Sequence, residues 1–126
     1  MDEPNRVGLT AVGMAQLDEL LDELNPGDGE EGTKLIKFDL YRLMVALGIK
    51  NKVNAPVLED KSLNTLRVAE LDEERTLYTA LENSNLVPEG TSIYGYIERL
   101  AEKGIRELYQ TYQSTGQFPF EEYFMK

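Results

Sequence analysis

Any chemistry in this chain must rest on carboxylates, lysine, serine or tyrosine, because its 126 residues include neither histidine nor cysteine. The commonest general base and metal ligand is therefore missing, along with thiolate ligands, a thiol nucleophile and disulfides. Glu70 and Asp72 are the nearest approach to a paired carboxylate, and helix capping accounts for Asp72 without any reaction. The stretch Gly27-Asp28-Gly29-Glu30-Glu31-Gly32 mixes glycine with carboxylates but lacks the ligand spacing of a calcium loop. It follows no strand and carries no cation, so it would repel phosphate. No catalytic residue, metal ligand or cofactor site is expected from this pattern. The reading is of a protein that is not an enzyme.

Cations offer the better functional candidates. The net charge is −10, but it is unevenly placed. Residues 1–33 hold one basic and nine acidic residues, net −8, and residues 68–126 hold five and eleven, net −6. Between them, residues 34–67 hold seven basic and three acidic, net +4. Clusters of this kind neutralise phosphates and position a protein on nucleic acid without reading its sequence. Lys34, Lys37, Arg42, Lys50 and Lys52 are the candidate DNA-binding residues. Solvated charges placed by chance, or lysines serving a helix dipole, would give the same composition.

The elements that position these residues are mostly helical. Arg6 to Leu9 forms a short extended segment, and Thr10 caps a first helix with Met14, Leu17, Leu20, Leu21 and Leu24 at helical spacing. Asn25-Pro26-Gly27 stops it. A second helix is expected from Lys34 to Leu47, capped by Thr33. Its apolar stripe is Ile36, Leu40, Leu43, Met44 and Leu47, and Gly48 serves as its left-handed cap. Residues 50–62 read as irregular, and Leu63 to Leu71 as either a short strand or a helical turn.

Asp72 is placed to cap a third helix over 73–82, with Leu77, Ala80 and Leu81 inward. Ser92 opens a fourth over about 93–113. Its face of Ile93, Ile97, Leu100, Ala101, Gly104, Ile105, Leu108 and Tyr112 is continuous. Gly104 inside that helix implies a close approach by another helix. The aromatic tail Phe118 to Phe124 is expected to fold back over the core, with a docking segment for another chain as the alternative.

The fold class is thus all-α, a compact bundle of about four main helices with a short N-terminal extended segment, in one domain spanning residues 1–126. A hydrophobic share of 41% suits such a domain. No apolar stretch approaches the roughly 20 residues of a membrane span, and the acidic N-terminus is unlike a signal peptide. A soluble cytoplasmic protein with no membrane contact is expected.

The order of elements resembles DndE, the small helical protein of the bacterial DNA phosphorothioation system. The matching stretches are Asn5 to Thr10, Phe38 to Gly48, Leu71 to Leu81 and Ile97 to Leu108. They recur in similar order rather than as a signature motif. The resemblance implies a compact, helical homo-oligomer that touches duplex DNA through lysines. It extends equally to other proteins of DNA sulfur modification or of the restriction genes that accompany it. This chain departs from the family in its acidic first loop and acidic balance. A short strand before two helices is also the order of ribbon-helix-helix proteins, whose paired strands enter the major groove. From a different class, an acidic adaptor or inhibitor that binds a basic partner protein fits the same composition.

Overall fold

A computed structural model describes residues 3–24 and 36–116. The N-terminal segment pairs as strand β1 (Arg6–Val7) and leads into helix α1 (Ala11–Leu24). Helix α2 (Lys37–Lys50) is followed by an irregular strap over residues 51–65. Strand β2 (Leu66–Arg67) then runs directly into the single turn α3 (Val68–Leu71). Helices α4 (Thr76–Glu82) and α5 (Ile93–Thr115) complete the described chain. The fold is mostly helical, as the patterning predicts.

Helix α5 is the central post. Its face of Ile97, Leu100, Ala101, Ile105 and Leu108 is essentially inaccessible to solvent, which fixes the helical phase read from the sequence. Ser92 caps it as expected, its Oγ accepting from the Gly95 N–H at 2.9 Å. Gly116, with φ 74°, closes it with the left-handed turn that favours glycine. Helix α2 packs most extensively against α5, and α1 packs on a neighbouring side. A Cβ at Gly104 would lie 2.9 Å from the Met44 Cβ, so the expected close approach is real and α2 is the helix that makes it. Gly48 meets Leu100 in the same way.

That contact corrects the expected end of α2. Gly48 is not a left-handed cap; the helix continues through it to Lys50, because burying the glycine against Leu100 outweighs its low propensity. Ile36, expected in the apolar stripe, is the N-cap and is half exposed. Its N–H is taken by the Asp39 carboxylate at 3.0 Å. Thr33 and Lys34 lie outside the described residues, as does the aromatic tail.

Leu63 to Leu71 contains both of the alternatives it suggested, a two-residue strand followed by one helical turn. The partner of β1 is β2 of the same chain, antiparallel, with Val7 opposite Leu66 facing the core and Arg6 opposite Arg67 facing out. Asp72 does cap the following helix, accepting from the N–H groups of Leu77 and Tyr78 at 2.9 Å each. The helix starts three residues later than expected, at Thr76, because Arg75 takes a left-handed conformation with φ 57°. Leu77 and Leu81 are buried as expected, while Ala80 faces solvent rather than the core.

Candidate functional site

The predicted cations occupy distinct environments. Lys37 opens α2 and pairs with Asp18 of α1 at 3.3 Å, both side chains about half exposed. Arg42, one turn on, is committed to the fold. Its Nε donates to the Leu71 carbonyl at 2.7 Å and its Nη2 to the Glu70 carbonyl at 3.1 Å. Its Nη1 reaches Asp39 at 3.4 Å, and the guanidinium lies 5.6 Å from the Phe38 ring centre. A guanidinium fork suits this task, because it satisfies the carbonyls left open at the end of α3.

Lys50, in the last turn of α2, and Lys52, in a left-handed conformation just beyond it, are exposed and make no ion pair among the described residues. The ends of a 14-residue helix are about 20 Å apart, so Lys37 and Lys50 do not share one patch. The structure therefore brings together Lys50 and Lys52 alone. Lys34 is outside the described residues.

The polar centre that the sequence did not disclose lies between α5 and the N-terminal segment. Glu102 is almost wholly buried. Its carboxylate accepts from the Thr10 N–H at 3.1 Å, the Thr10 hydroxyl at 2.7 Å and the Arg106 Nε–H at 2.6 Å. Thr10 in turn caps α1, its Oγ1 accepting from the Gly13 N–H at 3.1 Å. Gly13 leaves room for this carboxylate, since a Cβ there would run into the Glu102 oxygens and force them to shift.

One helical turn earlier, Glu98 accepts from the Gly8 N–H at 3.0 Å. The buried Tyr41 hydroxyl donates to the Gly8 carbonyl at 2.9 Å. Burial holds the Glu98 carboxyl above its ordinary value, with the Glu102 charge adding to the rise, against hydrogen bonds from Ser62 and Gly8 that lower it. Burial likewise raises the Tyr41 phenol well above its ordinary range. The signal for this centre was an acidic pair, Glu98 and Glu102, four residues apart beside the apolar stripe of α5. Charge at that phase is read as solvated unless the partner segment is known.

The other buried carboxylate among the described residues is Asp72, which caps α4 and accepts from the Tyr94 hydroxyl at 2.8 Å. Glu3, partly buried, accepts from the Ile93 and Tyr94 N–H groups at 2.9 Å each and so holds the N-terminal segment to the start of α5. All four carboxylates join a side chain to backbone donors, a structural task.

Two of the surface depressions set apolar walls beside charged residues. One, of about 220 Å³, lies between strap residues Pro56 to Glu59 and α5. Its lining sets three carboxylates, Glu59, Glu102 and Glu107, against three cations, Arg99, Lys103 and Arg106; Arg106 pairs with Glu102 and with Glu59 at 3.7 Å, and Lys103 with Glu107 at 2.7 Å. The other, of about 470 Å³, lies between α2 and the α3–α4 turn and is rimmed mainly by carboxylates. No group of three or more carboxylates that could hold a metal ion occurs among the described residues. No described helix is long and apolar enough to cross a membrane. Comparison with protein-family models, with curated proteins and with solved structures finds no match.

Proposed function

We propose that this chain is a non-enzymatic accessory protein of a bacterial DNA phosphorothioation or related defence system, acting by contact with DNA or with the modification and restriction proteins. The resemblance to DndE over about residues 5–110 supplies the system. The observation that carries the mode of action is how the ionisable groups are used. Asp72 and Glu102 are buried and saturated by backbone or side-chain donors, whereas Lys50 and Lys52 stand exposed and unpaired among the described residues. Groups committed to holding helix ends are poorly placed for proton transfer, and unpaired surface cations are free to meet phosphate.

Homo-oligomer formation would gather several Lys50–Lys52 pairs on one face, with the carboxylates that make up the net charge of −10 turned away from the duplex. The test is binding of duplex DNA at low ionic strength, where attraction between unlike charges is strongest. Sequence-independent binding supports direct contact, and its absence there overturns it.

A second reading, an acidic adaptor that binds a basic partner protein, is favoured by Glu73 and Glu74. Both are exposed without an ion pair among the described residues. It predicts salt-dependent affinity for a basic protein and none for DNA.

A further inference from the structure

We infer that the depression between α2 and the α3–α4 turn is a docking groove for a cationic amphipathic segment of a partner protein. This rests on the reading that the chain acts by contact with other macromolecules, and it names the surface and the chemistry of one such contact. The groove is about 470 Å³, and its walls are apolar: Leu43 and Ala46 from α2, Leu71 from α3 and Leu77 from α4. Ala46 is exposed and Leu43 partly so, which leaves apolar surface on α2 open beside the buried Leu71 and Leu77.

Charge decides the occupant. The groove's lining includes Asp39, Glu70, Asp72, Glu73 and Glu74 against one cation, Arg42. Arg42 pairs with Asp39 and turns its guanidinium onto the Leu71 and Glu70 carbonyls, so one cation stands against five carboxylates and makes no ion pair with Glu73 or Glu74. Asp72 is buried on the Leu77 and Tyr78 N–H groups, Asp39 accepts from the Ile36 N–H and from Arg42, and Glu70 pairs with Arg67 at 3.5 Å. Glu73 and Glu74 have no ion pair among the described residues. An apolar trough below unneutralised carboxylates complements a segment with leucine-like side chains on one face and lysine or arginine on its edges. It repels phosphate, so the groove and the Lys50–Lys52 pair serve different partners. The cleft beside the strap, lined by three carboxylates and three cations, has no such preference.

The test uses three synthetic peptides: an amphipathic Leu–Lys helix, a Leu–Glu helix of the same pattern, and a Leu–Lys peptide scrambled to remove the apolar face. Backbone amide chemical shifts report where each binds. The groove predicts that the first peptide alone binds, with shifts concentrated at Leu43, Ala46 and residues 70–77. Glu73→Gln with Glu74→Gln should weaken it about tenfold at low salt, an effect that fades as salt screens the rim. Ala46→Arg, at an exposed helical position, should abolish binding while leaving the circular dichroism spectrum unchanged.

Equal binding of the scrambled peptide, shifts outside the groove, or no loss in these variants would overturn the inference. Duplex DNA affinity measured on the same variants separates the two ideas. Retained DNA binding with lost peptide binding supports both. Peptide binding without any DNA binding removes direct DNA contact and leaves the groove standing.

Discussion

Replacing Glu102 by alanine should be among the most damaging single changes in the molecule, although it removes a charge from an already acidic chain. The carboxylate serves three donors at 2.6–3.1 Å. Removing it strands the Thr10 N–H, in a residue with no solvent exposure, at a cost of about 1–3 kcal/mol. The Thr10 hydroxyl loses its acceptor for about 1 kcal/mol more. Arg106 is one-third exposed and keeps Glu59, so it adds only about 0–1 kcal/mol. With the void left by the side chain, the total is about 3–5 kcal/mol.

Urea denaturation followed by circular dichroism measures this as a midpoint lowered by about 2–3 M, for a slope near 1.5 kcal/mol/M. Glu102→Gln keeps the shape and one acceptor but turns an amide N–H toward Arg106, and should cost about half as much. Combining Glu102→Ala with Thr10→Val should cost less than the sum of the two, since both remove the bond from the Thr10 hydroxyl to the Glu102 carboxylate. A loss below about 1 kcal/mol for Glu102→Ala, or strict additivity in the pair, would refute the account of this centre.

Leu100→Ala should cost about 2–5 kcal/mol in the same assay, because the side chain is 1% exposed; a loss under about 0.5 kcal/mol would place it at the surface. Gly104→Ala should destabilise despite alanine's better helix propensity, since the new Cβ meets Met44 at 2.9 Å, and a stabilised variant would show that α2 and α5 are not closely apposed. Glu98, held above its ordinary carboxylate value by burial, binds its proton more tightly folded than unfolded. Its contribution is therefore full below the unfolded value near 4.5 and is lost as pH rises through the folded value. Carboxyl-carbon chemical shifts against pH should show a midpoint above 4.5, and Glu98→Gln should remove that part of the pH dependence; a midpoint at or below 4.5 contradicts the burial argument.

The helices of this fold were legible wherever one face is apolar and a cap residue marks the start. Thr10 and Ser92 both cap as their side chains suggest, and the stripe of α5 from Ile97 to Leu108 is buried at the phase its spacing implies. The second helix was harder, because Gly48 obeys a packing demand from Leu100 that lies 52 residues away and leaves no local trace. The late start of α4 was missed because it follows from the left-handed Arg75, a backbone choice that no side chain announces.

The candidate sites were legible only as composition. The basic middle of the chain is plain in the sequence, yet its spacing did not show that Arg42 would turn onto the carbonyls of α3 while Lys50 and Lys52 stay free of ion pairs among the described residues. Glu102 and Thr10 are 92 residues apart, and only the fold brings them together.

If this chain works by contact, as proposed, with Lys50 and Lys52 facing phosphate, its affinity for duplex DNA should depend on salt through those two lysines. The decisive measurement is that salt dependence for the unmodified protein and for Lys50→Gln with Lys52→Gln, read by fluorescence anisotropy on several unrelated sequences. The account predicts binding at low salt that is indifferent to sequence. It also predicts that the double variant is weaker on every duplex, with the slope of log K against log salt reduced by about 1.8, at about 0.9 per lost phosphate contact. No binding by the unmodified protein at low salt, or a double variant with an unchanged slope, would contradict it.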